Sequence, residues 1–126
     1  MKTEEKAEVR NIGAQGDMIV RRVKAVPAGA VAVKPEGGKL ILTHSETGHH
    51  HAVDDLSCFL FQDPKSPLVG YLQLGDACAS GGGVDVVHHR PWDTHKTLRL
   101  LGQPGDVFEI RRQREWAPEG WRRVAD

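Results

Sequence analysis

No stretch of this chain approaches the roughly 20 apolar residues of a membrane-spanning helix. The opening Met1–Arg10 is polar and alternates in charge, without the apolar centre of a secretory signal. Cysteine is scarce: Cys58 and Cys78 are too few for a disulfide framework and fit a reducing compartment. Net charge is absent, with 17 Lys+Arg against 17 Asp+Glu. That balance argues against nucleic acid and against a polybasic membrane surface as partners, because both need a field of one sign. Helical periodicity is nearly missing too, the one short helix candidate being residues 118–124. The 126 residues suit a single cytoplasmic domain, large enough to bury a core without disulfide or structural metal.

What the chain has instead is short apolar runs separated by turn residues. Residues 1–15 read as a flexible, solvated arm, and residues 16–126 as one β domain. Strand candidates are Met18–Val23, Ala30–Val33, Lys39–His44, His49–Val53, Cys58–Phe61, Leu68–Leu74, Val84–His89, Thr97–Leu101 and Val107–Arg112. Nearly every gap holds Gly, Pro or Asp. The pattern predicts an all-β, single-domain sandwich or a small cupin-like or jelly-roll barrel, the barrel being preferred. Asp76–Gly83 (DACASGGG) reads as a glycine-rich loop between two strands. Gly16-Asp17 and Gly105-Asp106 each precede a similar run, MIVRRV and VFEIRR, which ordinary turn chemistry explains without a repeat.

All seven histidines lie in two windows, residues 44–51 and 88–95. If Ser45–Gly48 closes a four-residue hairpin loop, His44 and His49 face each other across the strands, with Cβ atoms about 4.5–5.5 Å apart. His49 and His51 then share a face, since side chains alternate with period two, and His50 turns away. Leu40, Leu42 and Val53 join that face, so three imidazoles would emerge at the rim of an apolar surface. Neutral imidazole nitrogens bind Zn²⁺ at about 2.0–2.1 Å, and three protein ligands leave a fourth position for water. His95 is the best candidate for a ligand from the second window, with His89 in reserve and His88 facing opposite to His89. Glu46 and Asp93 are the general-base or orienting candidates; Asp54 and Asp55 are further carboxylates near the cluster. The expected cofactor is a divalent transition metal, Zn, Fe, Mn or Ni, because imidazole suits them all. With an open position it would polarise a carbonyl or supply hydroxide near neutral pH, for a small-molecule ligand. Closed by four histidines, it would be structural. A cluster that titrates near neutral pH as a sensor is the third reading.

The segment THSETGHHHAV and the ending RRQREW-x4-WRRVAD resemble small, largely uncharacterised bacterial proteins, over about residues 16–53 and 95–126. The resemblance implies no activity. The H-x-H of His49 and His51 is also similar to the first metal motif of the cupins, where an acidic residue follows and a later strand supplies another His. That resemblance implies a barrel, with Asp55 near the acidic position and His95 as the later ligand. Thr43, six residues before His49, stands where cupins carry Gly, and no P-x-G-x-x-H surrounds His95. Architecture and ligand type alone do not give a reaction.

The C-terminal part interleaves arginine with tryptophan: Arg111, Arg112, Arg114, Trp116, Trp121, Arg122 and Arg123. Both residue types are favoured interface anchors. The second function expected is therefore a non-catalytic interaction module, with this tail docking a protein partner and the histidines as a structural clamp. The pattern leaves oligomeric state open. Nucleophile signals are weak: Ser45 lacks a G-x-S-x-G setting, Cys58 sits in the apolar run LSCFLF, and Gly81–Gly83 is followed by no Lys-Ser/Thr.

Overall fold

The computed structural model describes residues 6–43, 50–77, 82–88, 95–112, 114–117 and 120–123. Thirteen strands follow one another: β1 Lys6–Val9, β2 Ile12–Gln15, β3 Met18–Val23, β4 Val31–Val33, β5 Leu40–Thr43, β6 His51–Val53, β7 Phe59–Gln62, β8 Val69–Gln73, β9 Gly83–His88, β10 His95–Leu101, β11 Val107–Arg112, β12 Arg114–Ala117 and β13 Gly120–Arg123. They form a five-stranded sheet ordered β1-β10-β9-β6-β5 and a six-stranded sheet ordered β2-β3-β11-β8-β7-β4, with β12-β13 as a separate ribbon. Every pairing is antiparallel except β1 against β10.

Period-two burial is what packs the two sheets together. On β9 the inward positions are Val84, Val86 and His88; on β11 they are Phe108, Ile110 and the partly buried Arg112. The core joins Leu40, Val53, Val86, Leu98 and Leu100 of the first sheet to Met18, Val20, Leu72, Phe108 and Ile110 of the second. Each such side chain, taken fully from water, contributes about 1.5–3 kcal/mol before the entropy of ordering is subtracted. Cys58 lies in this core as a small hydrophobe, as its apolar surroundings suggest.

The all-β class holds, as a sandwich and not as the preferred barrel: among the described residues neither sheet closes, β1, β5, β2 and β4 remaining edges. Residues 6–15, expected to belong to a solvated arm, instead form β1 and β2. Charges on one face of an edge strand mask its half-burial, here in two strands, β1 burying Val9 and β2 burying Gln15. The chain crosses from one sheet to the other between them. The tail is also not a helix, since Gly120–Arg123 pairs with Arg114–Ala117 as a β ribbon. Of the glycine-rich loop, residues 78–81 lie outside the described part, and Gly83 already belongs to β9. No helix among the described residues is long and apolar enough to cross a membrane.

Candidate functional site: a buried histidine pair

Register brings the histidine windows together at one end of the sandwich. Thr43 of β5 pairs with His51 of β6, His51 with His88 of β9, and His88 with His95 of β10. Four strands thus contribute one cross-sheet row. His51 and His88 are wholly buried, and their rings stack with centroids 3.8 Å apart and planes inclined by 25°.

The opposite sheet supplies the polar groups beneath them. β2 and β3 are joined by the two-residue turn Gly16-Asp17, with Gly16 at φ 59°, a conformation glycine adopts at the first central position of such a hairpin. The turn carries Asp17 inward, almost fully buried, beside Gln15. Gln15 Nε2 donates to the Val86 carbonyl at 2.9 Å, which turns its amide oxygen to His51 Nδ1 at 2.8 Å. An amide oxygen only accepts, so Nδ1 carries a proton. The other ring nitrogen, Nε2, stands 3.2 Å from Asp17 Oδ1.

This arrangement has a chemical consequence. With Nδ1 protonated, a neutral His51 presents a lone pair on Nε2 to a carboxylate oxygen, and two acceptors in a buried site repel. A proton between the two groups, carried by His51 or by the Asp17 carboxyl, resolves the contact, and so does a metal ion held by both. Two donors each about 2.0–2.1 Å from a tetrahedral zinc stand about 3.3 Å apart, close to the separation found. His88 is not a second donor to the same ion in this arrangement, because stacked rings send their in-plane lone pairs nearly parallel. Its ring packs His51 in place.

Of the expected ligands, the structure brings His51 to this centre and sets the backbone of His95 in register with His88. His44, Glu46, His49, His89 and Asp93 lie outside the described residues. The expected emergence of His51 at a surface rim is corrected: the ring has no exposure, being covered by the β2–β3 turn. The hairpin register is corrected as well. A four-residue loop would set Leu42 opposite His51, whereas an irregularity between Ile41 and Thr43 sets Thr43 there. Asp54 is exposed and lies 3.9 Å from Lys39. Asp55, near the cupin acidic position, accepts instead from Ser57 N at 2.9 Å and Ser57 Oγ at 2.6 Å, a local turn. Among the described residues no group of three or more His, Cys, Asp or Glu side chains is arranged to hold a metal.

Sequence reasoning missed His88, Gln15 and Asp17. A signal existed for the first: strict alternation from Val84 through Val86 puts His88 on the core face. For Asp17 there was none, because a Gly-Asp turn reads as solvent chemistry. The arginine series also divides. Arg111 lies on the outer face against Glu109 at 2.6 Å, and Glu109 also meets Arg21 at 3.3 Å. Arg112 turns inward, so the two belong to opposite faces rather than to one docking surface. On the ribbon, Trp116 is opposite Trp121 and Glu115 opposite Arg122.

The sequence profile of a domain of unknown function, DUF8820, matches residues 14–113, and the chain belongs to that family. No curated protein and no solved structure matches it.

Proposed function

We propose that this DUF8820 domain binds a divalent transition metal at the histidine-bearing end of its sandwich. The observation that carries the reading is the 3.2 Å approach of His51 Nε2 to Asp17 Oδ1, with Nδ1 already committed to Gln15. Those two atoms form one edge of a tetrahedral shell, whose two remaining positions would be filled from among His44, His49 and His95, with His89 in reserve. Gln15 then acts as the group that fixes the tautomer and ring orientation of a metal-bound imidazole. Glu46 and Asp93 keep their role as orienting or basic groups toward a bound small molecule. Zn, Fe, Mn and Ni all suit such a donor set.

The test is metal uptake by protein purified without a metal-affinity column. After dialysis against Zn²⁺ or Co²⁺, elemental analysis should find about one ion per chain, and Co²⁺ should give the intense visible bands of a tetrahedral site. His51→Asn and Asp17→Asn should each weaken uptake by more than the about 10–100-fold expected for losing Gln15, which only supports the ligand. Wild-type protein that retains no ion, or a His51→Asn protein with wild-type affinity, overturns the reading.

The interaction-module reading is favoured by one separate observation. Among the described residues the β12–β13 ribbon pairs with neither sheet, and it aligns two tryptophan positions across its strands. Removal of residues 113–126 should then abolish partner capture without changing metal content; unchanged capture counts against it.

A further inference from the structure

Two neighbouring strands of the six-stranded sheet, β3 and β11, each end their inward face with an arginine. On β3 the sequence is Met18, Val20, Arg22, and on β11 it is Phe108, Ile110, Arg112. Because β3 and β11 are antiparallel, the two guanidinium groups lie at opposite ends of the sandwich. Arg22 is fully engaged by the protein: Nε donates to the Arg10 carbonyl at 2.7 Å, Nη2 to the Leu101 carbonyl, and Nη1 pairs with Asp106 at 2.9 Å, while the group lies over the Phe108 ring. Arg112 has the same place at the other end, yet among the described residues its buried Nε finds no acceptor. The neighbouring Thr43, only 5% exposed, also has a buried hydroxyl with no partner among the described residues.

Both groups line one cavity of about 70 Å³ between the edge of the first sheet and the second. Its walls are otherwise largely aliphatic, with Val33, Ile41, Leu60 and Ile110 among them, and among the described residues no Asp or Glu lines it. The one amide present, Gln62, is committed through Nε2 to the carbonyls of Ser66 and Val69, at 2.7 and 2.9 Å. A buried guanidinium N–H left without an acceptor is costly, and the planar N–H fork of arginine matches a carboxylate. A hydroxyl beside it adds a donor to a carboxylate oxygen, and the aliphatic walls take up an alkyl chain. The volume exceeds that of a few water positions and is below that of a large ligand.

From this contrast we propose that the Thr43–Arg112 cavity is a binding site for a small aliphatic monocarboxylate. Arg112 holds the carboxylate, Thr43 donates a second hydrogen bond, and a short alkyl chain lies against Leu60 and Ile110. Thr43 is also the cross-strand neighbour of His51, so the ligand would lie beside the histidine row. The site is independent of whether a metal is bound there.

The probe is butyrate, titrated into EDTA-treated full-length protein and followed by amide chemical shifts and by melting temperature. Butyrate should bind saturably, shift the resonances of Thr43, Leu60, Ile110 and Arg112, and raise the melting temperature with concentration. Arg112→Met, which keeps the bulk and removes the charge, should weaken binding about ten-fold or more, with a smaller loss in Thr43→Val. Arg112→Lys keeps the charge without the fork and serves if the methionine variant fails to fold; it too should bind more weakly. Butanol should not compete, and inorganic phosphate should bind less tightly than butyrate. Absence of saturable binding to the wild type, undiminished binding in the Arg112 variants, or tighter binding of phosphate overturns the proposal. Because the protein is metal-free, failure to bind metal leaves this outcome untouched, and failure to bind butyrate leaves the metal reading standing.

Discussion

At the scale of single residues, the buried groups behave according to their partners. His51 is held by Gln15 on one side and Asp17 on the other. Removing Gln15 leaves the buried Nδ1–H of His51 without its acceptor, at about 1–3 kcal/mol. We therefore expect Gln15→Leu to lower stability by that amount in denaturant titrations, whatever its effect on metal. Tyr71, the single tyrosine of the chain, has its phenol held above the ordinary value of 10, first by burial and then by the nearby carboxylates of Glu109 and Asp63. The folded protein thus keeps a proton that the unfolded chain releases earlier. Its contribution is fully present below pH 10 and is lost as pH rises through the folded titration. Phenolate absorbance should report a midpoint above 10, moving down in Glu109→Gln; an unmoved midpoint would count against the carboxylate's share. The H-x-H at His49 and His51 was legible at this scale, whereas the depth of His51 was not, because burial depends on a turn from the other sheet.

At the scale of elements, turns decide how strands meet. Asp106 caps the link between β10 and β11: its carboxylate accepts from Gln103 N at 2.8 Å and pairs with Arg22, and both contacts, the backbone one first, hold its pKa below the usual carboxylate range. That support is present above the unfolded titration and is lost as pH falls through the folded one, so Asp106→Asn should flatten the acid limb of the stability curve. Gly75, after β8, sits so close to Ser57 that a Cβ would overlap the Ser57 carbonyl. Gly75→Ala should cost about 1–3 kcal/mol through displaced backbone, measured by thermal unfolding. Strand positions were readable from alternation and turn residues, as Met18–Val23 and Val107–Arg112 show by matching their strands end to end. The Ile41/Thr43 irregularity was not, since a bulge inserts one residue without changing composition.

For the molecule as a whole, the two sheets share one core and the β12–β13 ribbon stands apart from their ladders. A chain ending at Arg112 should keep its β circular dichroism and a cooperative melt, with only a modest fall in melting temperature. Loss of the transition would show that the ribbon is part of the core. Phe108→Ala, in contrast, should cost about 3–5 kcal/mol, because the ring is wholly buried between the sheets.

Period-two patterning, punctuated by Gly, Pro and Asp, was enough to determine an all-β domain, most of its strands and the two histidine windows, because side-chain alternation is a local property of an extended chain. Only the tertiary structure decided which strands became neighbours, that the sheets stayed open, and that Asp17 and Gln15 reached His51 across the core. The same holds for Arg22 and Arg112: their sequences look alike, and it is the groups that other strands bring to each end that give one arginine its acceptors and leave the other facing a cavity.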